Sequence, residues 1–258
     1  MRLLVSVACA VEANAALDGG ADIVDAKDPR SGALGAVSSE TFREIAGAVA
    51  DRRPVSAAIG DAADEFTIER TASGFAAGGA AFVKVGFSGI SCHARVAALA
   101  AAAQRGLADA RPLADGGPER GGLVLVAYAD YQSVGSIDRD ALVNIAARHR
   151  AIGILLDTAD KRGPGLIALV GRHDLSAWIA RAQASGLLVA VAGKLAADDL
   201  LFASDAGADI AGVRGAACEG GRTGRVSAER VRQLRDRCQL WSAKASAERS
   251  VLSNATST

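Results

Sequence analysis

The sequence is poor in lysine and in aromatic residues, has no excess of charge of either sign, and contains no long apolar run. Its 258 residues carry 29 acidic and 29 basic side chains, so the formal charge is zero. A neutral chain is a poor partner for nucleic acid or for an anionic membrane surface, and we expect neither partner. The longest apolar runs are strand-sized, whereas a membrane-spanning helix needs roughly 20 apolar residues.

The sequence also lacks the common signatures of metal and nucleotide sites. Its four cysteines do not have CxxC or other ligand spacing. Neither an HExxH motif, nor a P-loop, nor a cluster of acidic residues is present. We therefore expect no metal, no nucleotide and no other cofactor. Cysteines without a pairing pattern are typical of a reducing compartment, which predicts a cytoplasmic protein.

What the chain does contain is a regular alternation of short apolar runs and alanine-rich helical stretches. Strands are predicted at 3–7, 22–27, 54–60, 82–86, 123–128, 153–158, 188–193 and 209–215. Helices are predicted near 11–18, 39–50, 65–77, 91–105, 138–148, 174–185, 196–206 and 227–238. Eight β–α units in strict alternation favour a closed (β/α)₈ TIM barrel, a single α/β domain. A doubly wound open sheet is the alternative, but no GxGxxG follows the first strand.

Three segments fall outside this repeat. The barrel is predicted to occupy residues 1–239, and residues 240–258 form a polar C-terminal tail. Residues 107–121 are interpreted as an insertion before the fifth strand, on the face opposite the active site. Residues 28–35 form a long glycine-containing loop after the second strand, which we interpret as a lid.

The few lysines are informative because arginine is the cation that this chain otherwise uses. There are five lysines against 24 arginines, and four of the five lie in or just after predicted strands: Lys27, Lys84, Lys161 and Lys194. Active sites of TIM barrels gather at the C-terminal ends of the strands. Lysine, unlike arginine, can lose its proton and act as a nucleophile. The positions therefore predict a lysine-rich active-site rim.

Carboxylates are predicted beside these lysines. Side chains alternate along a strand, so Asp25 and Lys27 share the inward face, Lys84 points inward, and Asp157 ends the sixth strand inward. A neutral lysine attacks a carbonyl to form an imine, and a second lysine or a carboxylate can then move protons. The alternative is that these groups are structural ion pairs that stiffen the rim.

The last two strands end in small residues and cations, which predicts a phosphate site. Backbone N–H groups near Gly193, Gly212 and Gly215 can approach an anion, and Lys194 and Arg214 add positive charge. The alternative interpretation is that these are ordinary tight turns. Tyr128 and Asp130, after the fifth strand, are further candidates to reach the substrate.

The motifs DAKDPRSGALGA, FVKVG, LLDTADK, VAVAGK and GVRGAAC resemble those of the (5-formylfuran-3-yl)methyl phosphate synthase family, also called 4-(hydroxymethyl)-2-furancarboxaldehyde-phosphate synthase. The resemblance extends over residues 1–238. It implies a barrel enzyme of methanofuran biosynthesis that condenses two molecules of glyceraldehyde 3-phosphate. It further implies that Lys27 forms the Schiff base and that Lys84 transfers protons, with Asp25, Asp157 and Lys161 at further active-site positions.

Two other functions remain open from the residues themselves. One is another class I aldolase-type barrel lyase acting on sugar phosphates, which shares the imine but not the ring closure. The other is a non-enzymatic sugar-phosphate-binding barrel, which would form no covalent adduct. In each case the expected partner is a small triose or sugar phosphate, and a homo-oligomer is compatible with a helix-covered barrel.

Overall fold

The computed structural model describes residues 1–110 and 121–239. Eight parallel strands in this part of the chain form a closed barrel in sequential order: β1 (Arg2–Val7), β2 (Ile23–Ala26), β3 (Val55–Asp61), β4 (Phe82–Gly86), β5 (Gly122–Tyr128), β6 (Gly153–Asp157), β7 (Leu188–Val191) and β8 (Ile210–Val213). Leu4 of β1 pairs with Ile23 of β2 on one side and with Gly212 of β8 on the other, which closes the barrel. The predicted TIM barrel is confirmed, and the open sheet is excluded.

A helix follows every strand and packs on the outside of the barrel, with two helices after β6. The helices are α1 (Ala10–Asp18), α2 (Ser39–Val49), α3 (Glu65–Ala77), α4 (His93–Asp109), α5 (Arg139–Arg148), α6 (Leu166–Val170), α7 (Arg172–Ala184), α8 (Ala197–Asp205) and α9, helical over 228–239. Side-chain caps fix several starts, because Ser38, Asp64 and Asp138 each accept a hydrogen bond from a free N–H of the first turn.

The main hydrophobic core lies between the barrel and the helices. Outward strand residues such as Val83 and Leu125 belong to the same buried cluster as Phe42 and Trp178 of the helices. The inward-facing apolar side chains form two smaller, separate clusters. Packing against the helices therefore stabilises the barrel from outside, and the inward positions remain available for polar groups.

Several predicted boundaries differ from the observed ones. Helix α4 continues to Asp109, so 107–109, the first residues of the predicted insertion, are helical; 111–120 lie outside the described residues, as does the predicted tail at 240–258. After β8 the chain forms a 3₁₀ turn and a short hairpin of β9 (Cys218–Glu219) and β10 (Arg225–Val226), which the sequence did not indicate. None of the helices in the described residues is long and apolar enough to cross a membrane.

Candidate active site

A cavity of about 380 Å³ opens at the C-terminal ends of the strands and continues into the barrel. All four lysines that the sequence placed on the rim line it, and so do both inward carboxylates: Lys27, Lys84, Lys161, Lys194, Asp25 and Asp157. Parallel strands bring their C-terminal ends to one side of the barrel, which is why residues far apart in the chain meet here. The structure thus places these residues where the sequence predicted, and their chemical roles remain predictions.

Asp25 is the centre of the first polar cluster. Its carboxylate is fully buried and accepts hydrogen bonds from Ser56 Oγ at 2.7 Å and Ser6 Oγ at 2.9 Å. Lys84 Nζ lies 2.5 Å from Asp25 Oδ1 in a buried ion pair. Each charge thus has a partner of opposite sign and polar neighbours, which such deep burial requires. The two serines escaped the sequence analysis, although a serine on the inward face of an apolar strand was the available signal.

A second ion pair lies across the rim. Lys161 Nζ donates to Asp157 Oδ1 at 2.6 Å and to the Thr158 carbonyl at 2.5 Å. Burial alone would raise the pKa of Asp157, but the nearby Lys161 and Lys27 ammonium groups and the hydrogen bonds outweigh it and hold the pKa below its ordinary value. Asp157 is therefore a carboxylate at neutral pH.

Lys27 differs from Lys84 and Lys161, the lysines of the two ion pairs. Within the described residues its amine has no carboxylate at salt-bridge distance, and its side chain is buried directly after β2. Burial lowers the pKa of Lys27 from 10.5 to about 8; Lys84 and Lys161 add to this effect, whereas Asp157 and Asp25 oppose it. A substantial fraction of this amine is neutral near pH 8, and only the neutral amine attacks a carbonyl.

The turn after β7 has an unusual backbone. Gly193 has φ +108°, and Lys194 has φ +58°, a left-handed conformation that few lysines adopt. A side chain at Gly193 would approach Thr158 and Leu166 to about 3 Å, so glycine is required for packing as well as for conformation. Lys194 Nζ donates to the Gly163 carbonyl at 2.6 Å from an exposed position, where it can reach a ligand at the rim.

Arg214 does not fit its predicted role of a phosphate ligand. It is buried, and its guanidinium pairs with Glu12 through Nη1–Oε2 at 2.6 Å and Nη2–Oε1 at 3.1 Å. The remaining donors go to three carbonyl groups, those of Ser6, Arg222 and Gly224. All five N–H groups are therefore used inside the protein. The arrangement makes Arg214 a tie between β1 and the loop after β8, and the sequence analysis overlooked Glu12.

The two glycines on either side of Arg214, which were predicted to bind phosphate with it, lie in different elements. Gly212 faces the barrel interior below the rim, where a side chain would lie 3.3 Å from Ala192 Cβ. Gly215 begins the 3₁₀ turn at the rim. A Cβ atom at this position would lie 3.6 Å from the backbone nitrogen of Arg222, which is an ordinary contact distance. Of the two, only Gly215 is positioned to offer its backbone to a ligand at the rim.

Arg222 is a cavity-lining cation that the sequence analysis missed. It lies in the glycine-rich stretch 220–224, which was the available signal. Its guanidinium donates to the Pro29 carbonyl and, at 2.6 Å, to the Gly32 carbonyl. Partial burial lowers its pKa from the ordinary arginine value. Arg222 thus fastens the loop at 28–35, the predicted lid, to the loop after β8.

Tyr128 and Asp130 have structural partners in this arrangement. The buried Tyr128 hydroxyl donates to Asp61 Oδ1 at 2.7 Å, and burial beside that carboxylate raises the pKa of Tyr128 well above its ordinary value. Asp130 accepts hydrogen bonds from the backbone N–H groups of Ala159 and Asp160, both at 2.8 Å. Asp130 therefore holds the loop that carries Lys161.

Metal ligands are not grouped in this cavity. Across residues 1–110 and 121–239, no set of three or more His, Cys, Asp or Glu side chains is placed to hold a metal ion. Two lysine–carboxylate pairs, Lys84–Asp25 and Lys161–Asp157, lie in the cavity instead.

Comparison with known proteins identifies close relatives along nearly the whole chain. A family model described as 4-HFC-P synthase matches residues 3–235. The chain is 35% identical over 240 residues to (5-formylfuran-3-yl)methyl phosphate synthase of Methanosarcina barkeri (strain Fusaro / DSM 804), covering 93% of this chain and 100% of that protein. The enzyme of the same name from Methanopyrus kandleri is 36% identical over 240 residues, covering 90% and 97%.

Solved structures resemble the chain in fold alone. KGPDC from Streptococcus mutans superposes with a TM-score of 0.63 at 17% identity, covering 92% of this chain and 97% of that one. Phosphoribosyl anthranilate isomerase from Thermus thermophilus gives a TM-score of 0.58 at 15% identity, covering 92% and 98%.

Proposed function

Because the chain belongs to the 4-HFC-P synthase family, we propose that it condenses two molecules of glyceraldehyde 3-phosphate through an imine on Lys27. The product is 4-(hydroxymethyl)-2-furancarboxaldehyde phosphate, a precursor for methanofuran-type cofactors. The atoms balance when one phosphate and two molecules of water leave. The observation that carries the proposal is the buried Lys27 amine, with a pKa lowered to about 8, between two lysine–carboxylate pairs.

The first stage uses Lys27 as nucleophile. Its neutral amine adds to the aldehyde carbon, the carbonyl oxygen leaves as water after protonation, and an iminium ion forms. The iminium draws electrons from the adjacent carbon, so a base can remove the proton there and give an enamine. The enamine electrons then expel the phosphate from the third carbon and regenerate the iminium.

The second stage forms the ring. The second glyceraldehyde 3-phosphate isomerises to dihydroxyacetone phosphate when a base moves a proton from its C2 to its C1 through an enediol. Loss of phosphate from the first molecule leaves an enol next to the iminium, and the terminal carbon of this enol adds to the C2 carbonyl of the isomerised molecule, which places the retained phosphomethyl group at ring position 4. A hydroxyl group of the adduct closes the ring, two waters are lost, and water hydrolyses the imine to release the aldehyde. Lys84 moves protons in these steps, with Asp25 as its partner, and the Asp157–Lys161 pair supplies a second acid–base couple.

The phosphate that stays on the product is proposed to bind at the rim after β7 and β8. Backbone groups at Gly193 and Gly215 and the Lys194 ammonium face this part of the cavity. Arg222 is a better candidate than Arg214 for the second cation, because its bonds go to a surface loop and can be exchanged for a phosphate. Arg214 is held by the buried Glu12.

The deciding experiment combines trapping with product identification. Protein incubated with glyceraldehyde 3-phosphate and borohydride should gain mass on the peptide that contains Lys27, and without borohydride it should release the furan aldehyde phosphate. Lys27→Arg keeps the charge but not the nucleophile, so both the trapped adduct and the furan aldehyde phosphate should fall by roughly 10³-fold or more. An adduct confined to Lys84 or Lys161 would contradict the assignment of Lys27. An adduct on Lys27 with cleaved or coupled sugar phosphates as products would indicate an aldolase-type lyase, and binding without an adduct would indicate a binding protein.

A further inference from the structure

The barrel interior below the lysines is only partly filled. TIM barrels usually fill this space with layers of bulky side chains. Here the inward positions of β6 to β8 include Gly153, Ala190 and Gly212, and the cavity continues past them. Ala190 and Gly212, together with Val124 of β5, keep partial exposure although they face the inside of a closed barrel. The space below the rim is thus large enough to receive part of a ligand.

This inner chamber has one polar wall and one apolar wall. We use the name for the space bordered by Ile23, Phe82, Val124, Leu155, Ala190 and Gly212. The polar wall above Ile23 and Phe82 consists of Asp25 with Ser6, Ser56 and Lys84, which satisfy one another. The opposite wall, from β5 to β8, is apolar.

The chemistry of these walls selects what can enter the chamber. A phosphate placed there would be a buried anion facing hydrocarbon, since the Lys84 ammonium is already paired with Asp25. An uncharged, flat carbon skeleton does not have the desolvation cost of a buried anion, and it gains favourable contact with the apolar wall. Lys27 stands on the same inward face of the second β–α unit as Asp25 and Ile23, so a carbon chain attached to it can extend into the chamber.

We propose that the inner chamber holds the carbon skeleton of the condensation intermediate and then the furan ring, while the retained phosphate stays at the rim. The inference rests on the proposed function and adds where the ring forms. A hydroxylated open-chain adduct fits an apolar wall less well than the aromatic ring that it becomes on losing water. The chamber therefore favours ring closure over release of the open adduct.

The test fills the chamber without touching a charged group. Ala190→Leu and Val124→Phe place larger apolar side chains into it from two strands, and Ala98→Leu, the same kind of substitution at an exposed position of α4 outside the barrel, is the matched control. Three quantities are measured with wild type in parallel: furan aldehyde phosphate formed, borohydride-trapped Lys27 adduct at saturating glyceraldehyde 3-phosphate, and the melting temperature.

Filling should reduce furan formation by roughly 100-fold or more, because the ring is displaced from its site. Trapping should stay within about threefold of wild type, and the melting temperature should be unchanged or higher, since added methyl groups enter empty space. Ala98→Leu should match wild type in all three, because its side chain lies outside the chamber. Filled variants that still form the ring at the wild-type rate would overturn the inference. An equal loss of trapped adduct and of furan product would also overturn it, and so would a lowered melting temperature in both Ala190→Leu and Val124→Phe. A wild-type protein that forms no furan removes the proposed function itself.

Discussion

At the scale of single residues, the site separates two kinds of lysine by their neighbours. Lys84 and Lys161 each lie within 2.6 Å of a buried carboxylate, so their charge is compensated. Lys27 is buried and has no such partner in the part of the chain that the structure describes, and desolvation lowers its pKa to about 8. One buried amine with a lowered pKa thus lies near two lysines that are each paired with a carboxylate.

The lowered pKa of Lys27 predicts a pH profile. The initial rate of imine trapping should rise about tenfold per pH unit below pH 8 and level off above it, because the neutral fraction of an amine with this pKa saturates there. An ordinary lysine would continue to gain reactivity up to about pH 10.5. The measurement is the rate of borohydride-trapped adduct against pH.

Two variants should move the midpoint of that profile in opposite directions. Lys84→Met removes a cation that lowers the pKa of Lys27, so the midpoint should rise. Asp157→Asn removes the carboxylate that raises it most, so the midpoint should fall. A profile whose midpoint stays the same in both variants would show that Lys27 is not the titrating group.

Arg214 and Lys194 should differ in what their substitution changes. Arg214→Ala leaves Glu12 buried without its cation and should cost about 3–5 kcal/mol of unfolding free energy. Lys194→Ala should leave stability nearly unchanged but weaken inorganic phosphate binding ten- to a hundredfold, for a loss of about 1.5–3 kcal/mol. Denaturant unfolding and competition by phosphate measure the two effects. Weakened phosphate binding in a fully stable Arg214 variant would restore the role predicted from sequence.

At the scale of elements, the loops after the strands are fastened to one another. Asp130, after β5, holds the loop after β6, and Arg222, after β8, holds the loop after β2. Arg214 ties the same β8 loop to β1 through Glu12 and the Ser6 carbonyl. These contacts fix the loop that follows Lys27 and the loop that carries Lys161.

The Asp130 contact gives a prediction at this scale. Asp130→Ala removes the acceptor of two backbone N–H groups. It should lower the free energy of unfolding by only about 1 kcal/mol, because both N–H groups can then donate to water. The amides of residues 159–160 should exchange hydrogen faster, and turnover should fall because Lys161 loses its fixed position. Asp130→Asn keeps one acceptor oxygen and should give an intermediate result. Exchange equal to that of wild type in the alanine variant would show that the loop is held by other contacts.

At the scale of the whole molecule, stability and chemistry use different faces of the same strands. Outward side chains build the core with the helices, whereas inward side chains line a cavity that is polar at the rim and apolar below. The main core lies outside the barrel, and the inward face carries two smaller apolar clusters beside the charged groups of the cavity.

Chelation tests the chemistry of the molecule as a whole. In the proposed mechanism an iminium on Lys27 accepts the electrons that a metal would otherwise stabilise, and two of the rim lysines, Lys84 and Lys161, are paired with carboxylates. Activity should therefore survive treatment with EDTA, measured as furan aldehyde phosphate formed before and after dialysis. A large loss of rate that added metal restores would contradict this prediction.

The sequence by itself determined the barrel and the place of its charged rim. Strand and helix periodicities are local, so eight β–α units can be read from neighbouring residues. Once the strands are parallel, residues at their C-terminal ends must meet, and Lys27, Lys84, Lys161 and Lys194 did so. The same local reasoning could not fix the end of α4 or the hairpin after β8, because short helical and turn extensions depend on their packing partners.

Only the tertiary structure decided which charged groups are paired and where the interior is empty. Glu12 and Arg214 are 202 positions apart and meet because β1 pairs with β8. Arg214, which the sequence predicted to bind phosphate, is therefore paired with a carboxylate inside the fold. The pKa of Lys27 depends on burial and on charges from three other strands or loops. The inner chamber depends on the summed volumes of side chains from the whole barrel. These are non-local quantities, which a residue's neighbours in sequence do not contain.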